Sequence, residues 1–196
     1  MPKIVDHDKQ KQIVAEAAIR VIRRTGLDRA TVRNIAKEAG LSVGSLRHYF
    51  STQDELFAFC MNIFRERTET RVESMELGEE VLPALKRLLL QFLPVDEDRK
   101  MEMEVWLSFS TKSLMRPELK RIGEDMYAGM RSASLFAVHK LMEAKLAKKD
   151  LDADLEAETL HALLDGLAIH QLLYPGTMPA ERSELLLDRH LRSLCE

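Results

Sequence analysis

Apolar residues recur at three- and four-residue spacing along nearly the whole chain, and this rhythm constrains the fold more than any other feature. Ile13, Val14, Ala17, Ala18, Val21 and Ile22 trace one stripe, Leu85, Leu88, Leu89 and Phe92 a second, and Val105, Trp106 and Phe109 a third. A 3.6-residue helix gathers such positions on one side, whereas a strand needs alternation at two, which is nowhere sustained. The expected fold class is all-α. A chain of 196 residues, 45% of them hydrophobic, buries a core without staples. Its two cysteines, Cys60 and Cys195, lack the spacing of a disulfide scaffold or a zinc site and suit a reducing compartment. The start, MPKIVDHDKQ, carries charges where a signal peptide is apolar. No apolar run approaches the roughly 18 residues that span a bilayer. A cytoplasmic protein with no membrane partner is expected.

Helix punctuation divides the chain. Gly26 stops the first helix. Thr31 then opens a short one carrying Val32, Ile35 and Ala36, which ends at Ala39-Gly40-Leu41, and Ser42 opens another that runs to Phe50. Thr52 with Glu55 forms a capping box before a longer helix through Leu56, Phe59, Cys60 and Ile63. Farther on, Pro94 and Pro117 punctuate the pattern. The span from Pro117 to about Lys148 reads as one helix with Ile122, Met126, Ala133 and Ala137 inward, weakened by Gly123 and Gly129. Asp152 caps a helix carrying Leu160, Leu163, Leu164 and Leu167. Pro179 suits the first turn of the last helix, which carries Leu185, Leu187 and Leu191.

The net charge of −3 hides an asymmetry: residues 1–50 carry +5 and the remainder −8. A basic end on an acidic body suits a polyanion-binding head, because Lys and Arg gain affinity by displacing phosphate counterions. Two short helices hinged at a glycine, with longer helices on each side, are the parts of a helix-turn-helix, whose second helix enters the major groove. On a helical wheel, turning Leu46 inward keeps Phe50 within about 40° of it and leaves Gly44, Arg47 and His48 outward, with Ser45 at the flank. Gly44 removes a side chain and so permits close approach to DNA. The amides near Ser42 add a phosphate site.

The run T-V-R-N-I-A-K-E-A-G-L-S-V-G-S-L-R-H-Y-F, followed by D-E-L, resembles the helix-turn-helix of TetR-type repressors through Thr31, Ile35, Ala36, Ala39, Gly40, Ser42, Gly44, Leu46, Tyr49, Phe50 and Leu56. The resemblance implies a DNA-binding domain over 8–68, its helix-turn-helix at about 31–50, and a helical ligand-sensing and dimerisation domain over 69–196. It implies that Thr31, Ser42, His48 and Tyr49 contact phosphates and that Val43, Gly44, Ser45 and Arg47 face the bases. Three positions depart from the family. Arg47 replaces an aromatic residue and can grip guanine with both guanidinium nitrogens. Gln53 replaces a phosphate-binding lysine, which lowers backbone affinity. Val43 replaces a polar or basic residue and either meets a thymine methyl or simply packs.

The second half, through F-L-P-V-D-E-D-R-K-M-E-M-E-V-W-L-S-F and D-G-L-A-I-H-Q-L-L, is similar to the BetI-type repressors of choline and betaine metabolism. That similarity implies a pocket from the middle helices, with Met103, Trp106, Phe109, Met126, Tyr127 and Met130 as lining candidates. Methionines suit an irregular core as well as an adaptable pocket. The similarity also implies a dimer interface from the last two helices. Leu160, Leu163, Leu167, Leu187 and Leu191 belong either to that seam or to the monomer core. The implied partners are a palindromic double-stranded operator, a small-molecule effector and a second copy of the chain.

His161, Asp165, His170 and His190 suggest a metal only weakly, since His170 falls about 180° from His161 on the wheel. Packed histidines are the simpler reading. Glu97, Asp98, Glu102 and Glu104 read as a solvated helix start. No nucleophile elbow, glycine-rich phosphate loop or zinc-protease pattern occurs, so no enzymatic activity, catalytic residue, metal or cofactor is expected. Two rivals stand beside a regulator: an interaction module whose helix-turn-helix no longer reads DNA, which Gln53 and Val43 keep open, and a helical enzyme using the central pocket.

Overall fold

The computed structural model describes residues 7–26, 29–75, 78, 80–115 and 117–196, so the N-terminal hexapeptide lies outside the described residues. The helices are α1 (His7–Thr25), α2 (Val32–Glu38), α3 (Val43–Tyr49), α4 (Gln53–Glu73), α5 (Val81–Leu89), α6 (Glu97–Ser113), α7 (Pro117–Glu143), α8 (Ala153–Leu173) and α9 (Ala180–Ser193). A 3₁₀ turn at Leu90–Phe92 extends α5. The only β pairing among the described residues is an isolated bridge between Ala147 and Cys195. The chain is all-α, as its periodicity requires.

Two compact units divide it: one holds the described residues up to Arg65 together with Glu104–Lys120, the other Glu66–Met103 with Arg121–Glu196. In the first, α1 buries Val14, Ala17, Ala18, Val21 and Ile22, whereas Ile13, at the edge of that stripe, stays 40% exposed. α1 packs on both α2 and α3. Arg20 and Arg24 of α1 reach Glu38 of α2 at 3.1 and 2.9 Å. Gly40 closes α2: the Leu41 amide donates to the Ala36 carbonyl at 2.8 Å and the Gly40 amide to Lys37 at 3.2 Å. That closure needs the left-handed backbone found at Gly40, φ +69°, a conformation that costs glycine nothing sterically.

The C-terminal part of α6 groups with this first unit, which a single boundary near residue 68 does not anticipate. Its buried Val105 and Phe109, with Leu119, face Asp54 and Phe57 across a crevice that holds about 10 Å³ of water-sized space. The Lys112 ammonium lies 5.0 Å from the centre of the Phe57 ring.

In the second unit the core is leucine-rich: Leu85, Leu88 and Leu89 of α5, Ala137, Val138 and Leu141 of α7, Leu160, Leu164 and Leu167 of α8, and Leu187 and Leu191 of α9. α9 packs against both α5 and α8. α7 stops at Glu143, short of the expected Lys148, although no glycine stands there. Lys145 adopts φ +58°, and the amides of Lys145 and Leu146 donate to the carbonyls of Met142 and Leu141, both at 2.9 Å. This is a Schellman closure on a non-glycine residue, which sequence rules keyed to glycine miss. Asp152 caps α8 by accepting from the amides of Asp154 and Leu155.

Candidate functional site

The exposed face of α3 is built from its anchors outward. Leu46 and Phe50 are 1% and 2% exposed, and Phe50 meets Phe59 edge-on with ring centres 5.4 Å apart. Fixing those two side chains fixes the rotation of a seven-residue helix, so Gly44, Ser45, Arg47 and His48 face away from the core and are exposed. Val43 is 37% exposed and Tyr49 half-buried, its ring edge-on to His48. A Cβ built on Gly44 meets only the Ser42 hydroxyl, at 3.8 Å, so this surface is open.

Thr31 and Ser42 are the N-caps of α2 and α3, accepting from the amides of Asn34 at 3.3 Å and Ser45 at 3.0 Å. A capping hydroxyl used as acceptor keeps its proton to donate, which suits a phosphate oxygen. The Ser45 hydroxyl is tied to that of Ser42 at 2.9 Å, so Ser45 belongs to the cap as well as to the outward face. Sequence reasoning missed this pairing, although serines three apart at a helix start signal it.

Gln53 has a role that was not foreseen. Its side-chain amide donates to the carbonyl of fully buried Ala30 at 2.9 Å, and the Asn34 side chain holds the neighbouring carbonyl of Arg29 at the same distance. These two bonds fix the backbone that leads into the Thr31 cap. Glu55 receives the Thr52 cap at its amide, but its carboxylate turns to the amide and hydroxyl of Ser51, at 2.8 and 2.7 Å. Those bonds, the Ser51 hydroxyl first, hold the Glu55 carboxyl below its usual range.

The sensor candidates divide between the units. Trp106 and Phe109 lie in the first, the former half-buried and the latter buried, while Met103, Met126 and Met130, all half-buried, and Tyr127 lie in the second. Tyr127 is 56% exposed, and its ring stands 4.8 Å from that of His161, which is almost fully buried on α8. His161 in turn places Nε2 3.5 Å from Asp165 Oδ2. Their four-residue spacing put them on one face. That α7 brings an aromatic ring to the pair was not legible in the sequence. No group of three metal-ligating side chains occurs among the described residues.

The leucines expected at a dimer seam differ in how far their own chain covers them. Leu160, Leu167, Leu187 and Leu191 are at most 3% exposed and pack in the core of a single chain, with Leu163 half-buried against it. The apolar residues that α8 and α9 leave exposed are Leu155, Leu173 and Leu185, with Tyr174 just beyond α8.

A short helix capped by Ser42, anchored by Leu46 and Phe50 and open along Gly44 and Arg47, behind a glycine turn locked to α1, defines a helix-turn-helix transcriptional regulator that binds DNA. Residues 14–59 match the bacterial regulatory proteins of the tetR family, residues 83–196 match the C-terminal region of BetI-type transcriptional repressors, and the chain belongs to the TetR family. It is 41% identical to the HTH-type transcriptional regulator PksA of Bacillus subtilis over all of this chain and 94% of that protein. A transcriptional regulator from Rhodococcus sp. Rha1 shares the fold with a TM-score of 0.79 and 30% identity, covering 94% of this chain and 95% of the other. The multidrug binding protein EbrR complexed with imidazole matches at a TM-score of 0.63 and 25% identity, covering 92% and 94%. Among the described residues no helix is long and apolar enough to cross a membrane.

Proposed function

We propose that this chain is a cytoplasmic homodimeric repressor that occupies a palindromic operator and leaves it when a small molecule binds. DNA is bound through residues 8–68, and 69–196 sense the effector and dimerise. The observation that carries the reading is the outward face of α3, where Arg47, His48 and bare Gly44 sit on a helix whose opposite side is fully anchored. Arg47 reads a base, Val43 meets a thymine methyl, and Thr31, Ser42, His48 and Tyr49 hold phosphates. One recognition helix per protomer requires two protomers, with half-sites about 34–36 Å apart. The second copy docks on the outer faces of α8 and α9 through Leu155, Leu173 and Leu185.

Effector release is supported by the structural likeness to EbrR, which holds imidazole, and by the half-buried methionines and exposed Tyr127 of α7. Met103, Met126, Tyr127 and Met130 supply an adaptable apolar wall for such a guest. The relatives are named as regulators, which weighs against an enzyme or a protein-interaction module. A gel shift with the DNA flanking the chain's own gene tests the proposal. A retarded complex that Arg47→Ala weakens is expected. Equal binding to flanking and unrelated DNA at physiological salt, with Arg47→Ala indistinguishable, would overturn it.

A further inference from the structure

Asp165 is a half-buried carboxylate of the second unit. It sits on α8 with a side chain 38% exposed, and its only charged neighbour among the described residues is His161, at 3.5 Å. No side-chain or backbone donor completes it there. Burial pushes its carboxyl above the ordinary carboxylate range, and a proton on His161 would oppose that push. Even the exposed Asp154 on the same helix has a donor, Arg131 at 2.7 Å. The exposed Tyr127 ring of α7 lies against His161, and Met126 and Met130, half-buried, flank Tyr127 in the sequence of α7.

We propose that Tyr127, His161 and Asp165 form a recognition site for a protonated organic amine, whose N–H groups donate to the Asp165 carboxylate while its carbon frame lies on the Tyr127 ring. This inference rests on the reading of the chain as an effector-released regulator and names the effector's chemistry. A carboxylate without a protein donor on its second oxygen gains most from a cation that brings hydrogens, because a charge-assisted hydrogen bond is roughly twice as strong as a neutral one. A fully alkylated ammonium supplies charge without donors. The aromatic face adds attraction for either cation. Met126 and Met130 adapt to the shape of the apolar part.

Isothermal titration of the full chain with benzylammonium, and with benzyltrimethylammonium as the analogue without N–H, tests the site. Benzylammonium is expected to bind about tenfold more tightly than the trimethyl compound. Asp165→Asn should remove that difference and weaken benzylammonium by about tenfold or more, and Tyr127→Leu should weaken both cations a few-fold. Asp154→Asn, which changes an Arg-paired carboxylate on the same helix, should leave both affinities unchanged. Asp165→Asn replaces a charge by its neutral isostere, so folding is not at risk. The site is overturned if the wild type takes up neither amine, if the trimethyl compound binds as tightly, or if Asp165→Asn binds benzylammonium like wild type. Fluorescence anisotropy of labelled operator separates this from the functional reading. Amine binding at Asp165 with operator affinity unchanged upholds the site and removes effector release. Release by benzylammonium that persists in Asp165→Asn upholds release and removes the site.

Discussion

Arg71 near the end of α4 and Glu102 in α6 meet as a two-pronged ion pair, with nitrogen–oxygen distances of 3.0 and 2.8 Å, and Glu102 is only 3% exposed. Arg71 also donates to the Thr68 hydroxyl at 3.0 Å. The Glu102 carboxylate raises the Arg71 pKa above its ordinary value. A pair with one partner buried specifies geometry more than it stabilises, since desolvation offsets much of the attraction. Removing one partner is another matter. Glu102→Ala should cost about 1–3 kcal/mol by leaving the half-buried Arg71 uncompensated, and the double variant Arg71→Met, Glu102→Leu should recover most of that loss. Urea midpoints of the three variants check this, and a double variant as unstable as Glu102→Ala refutes it.

Arg47 and Tyr49 should separate base reading from backbone holding. Arg47→Ala is expected to lose about 1–3 kcal/mol of operator affinity and to relax preference at one position per half-site. Tyr49→Phe should weaken all sequences alike. Competition binding against operators randomised one position at a time distinguishes the two patterns, and unchanged preference in Arg47→Ala means that α3 is oriented differently on DNA.

Gln53→Lys, which installs the residue common in the family, should not strengthen operator binding as a simple gain of a phosphate contact would. The lysine loses the neutral amide geometry that holds the Ala30 carbonyl and with it the placement of the Thr31 cap. The expected result is equal or weaker affinity, although one added phosphate contact would steepen the salt dependence by about one unit. Tighter binding at every salt concentration would show that Ala30 needs no such support.

Leucines of α9 two positions apart should behave oppositely. Leu187 is fully buried, so Leu187→Ala should cost about 2–5 kcal/mol in unfolding free energy. Leu185 is 65% exposed, so Leu185→Glu should leave the fold intact and yield a monomer. Sedimentation velocity paired with circular dichroism reads both, and a Leu185→Glu variant that stays dimeric places the seam elsewhere.

The Asp165 carboxyl, raised mainly by burial, gives stability a sign that can be checked. Its folded form binds a proton more readily than the unfolded chain, so its contribution is most favourable below the unfolded value of about 3.9 and is lost as pH rises through the folded value. Asp165→Asn should therefore melt higher than wild type at neutral pH, with the gap closing on acidification. A variant less stable than wild type at pH 7 would mean that Asp165 is compensated in the fold.

The sequence alone determined the helical class, the caps at Thr31, Ser42, Thr52 and Asp152, and the outward face of α3. Each depends on residues within a turn or two of one another, and a 3.6-residue period translates spacing into direction. Leu46 and Phe50 are legible as anchors for that reason. The role of Gln53, the end of α7 at Lys145, the grouping of Val105 and Phe109 with Phe57, and the approach of Tyr127 to His161 depend on chain segments brought together by packing. Periodicity shows that Leu160, Leu167, Leu187 and Leu191 must be covered but not by what. Only the folded chain showed that they share one core with leucines of α5 and with Ala137, Val138 and Leu141 of α7, because burial is a property of neighbours in space and a helical wheel contains none.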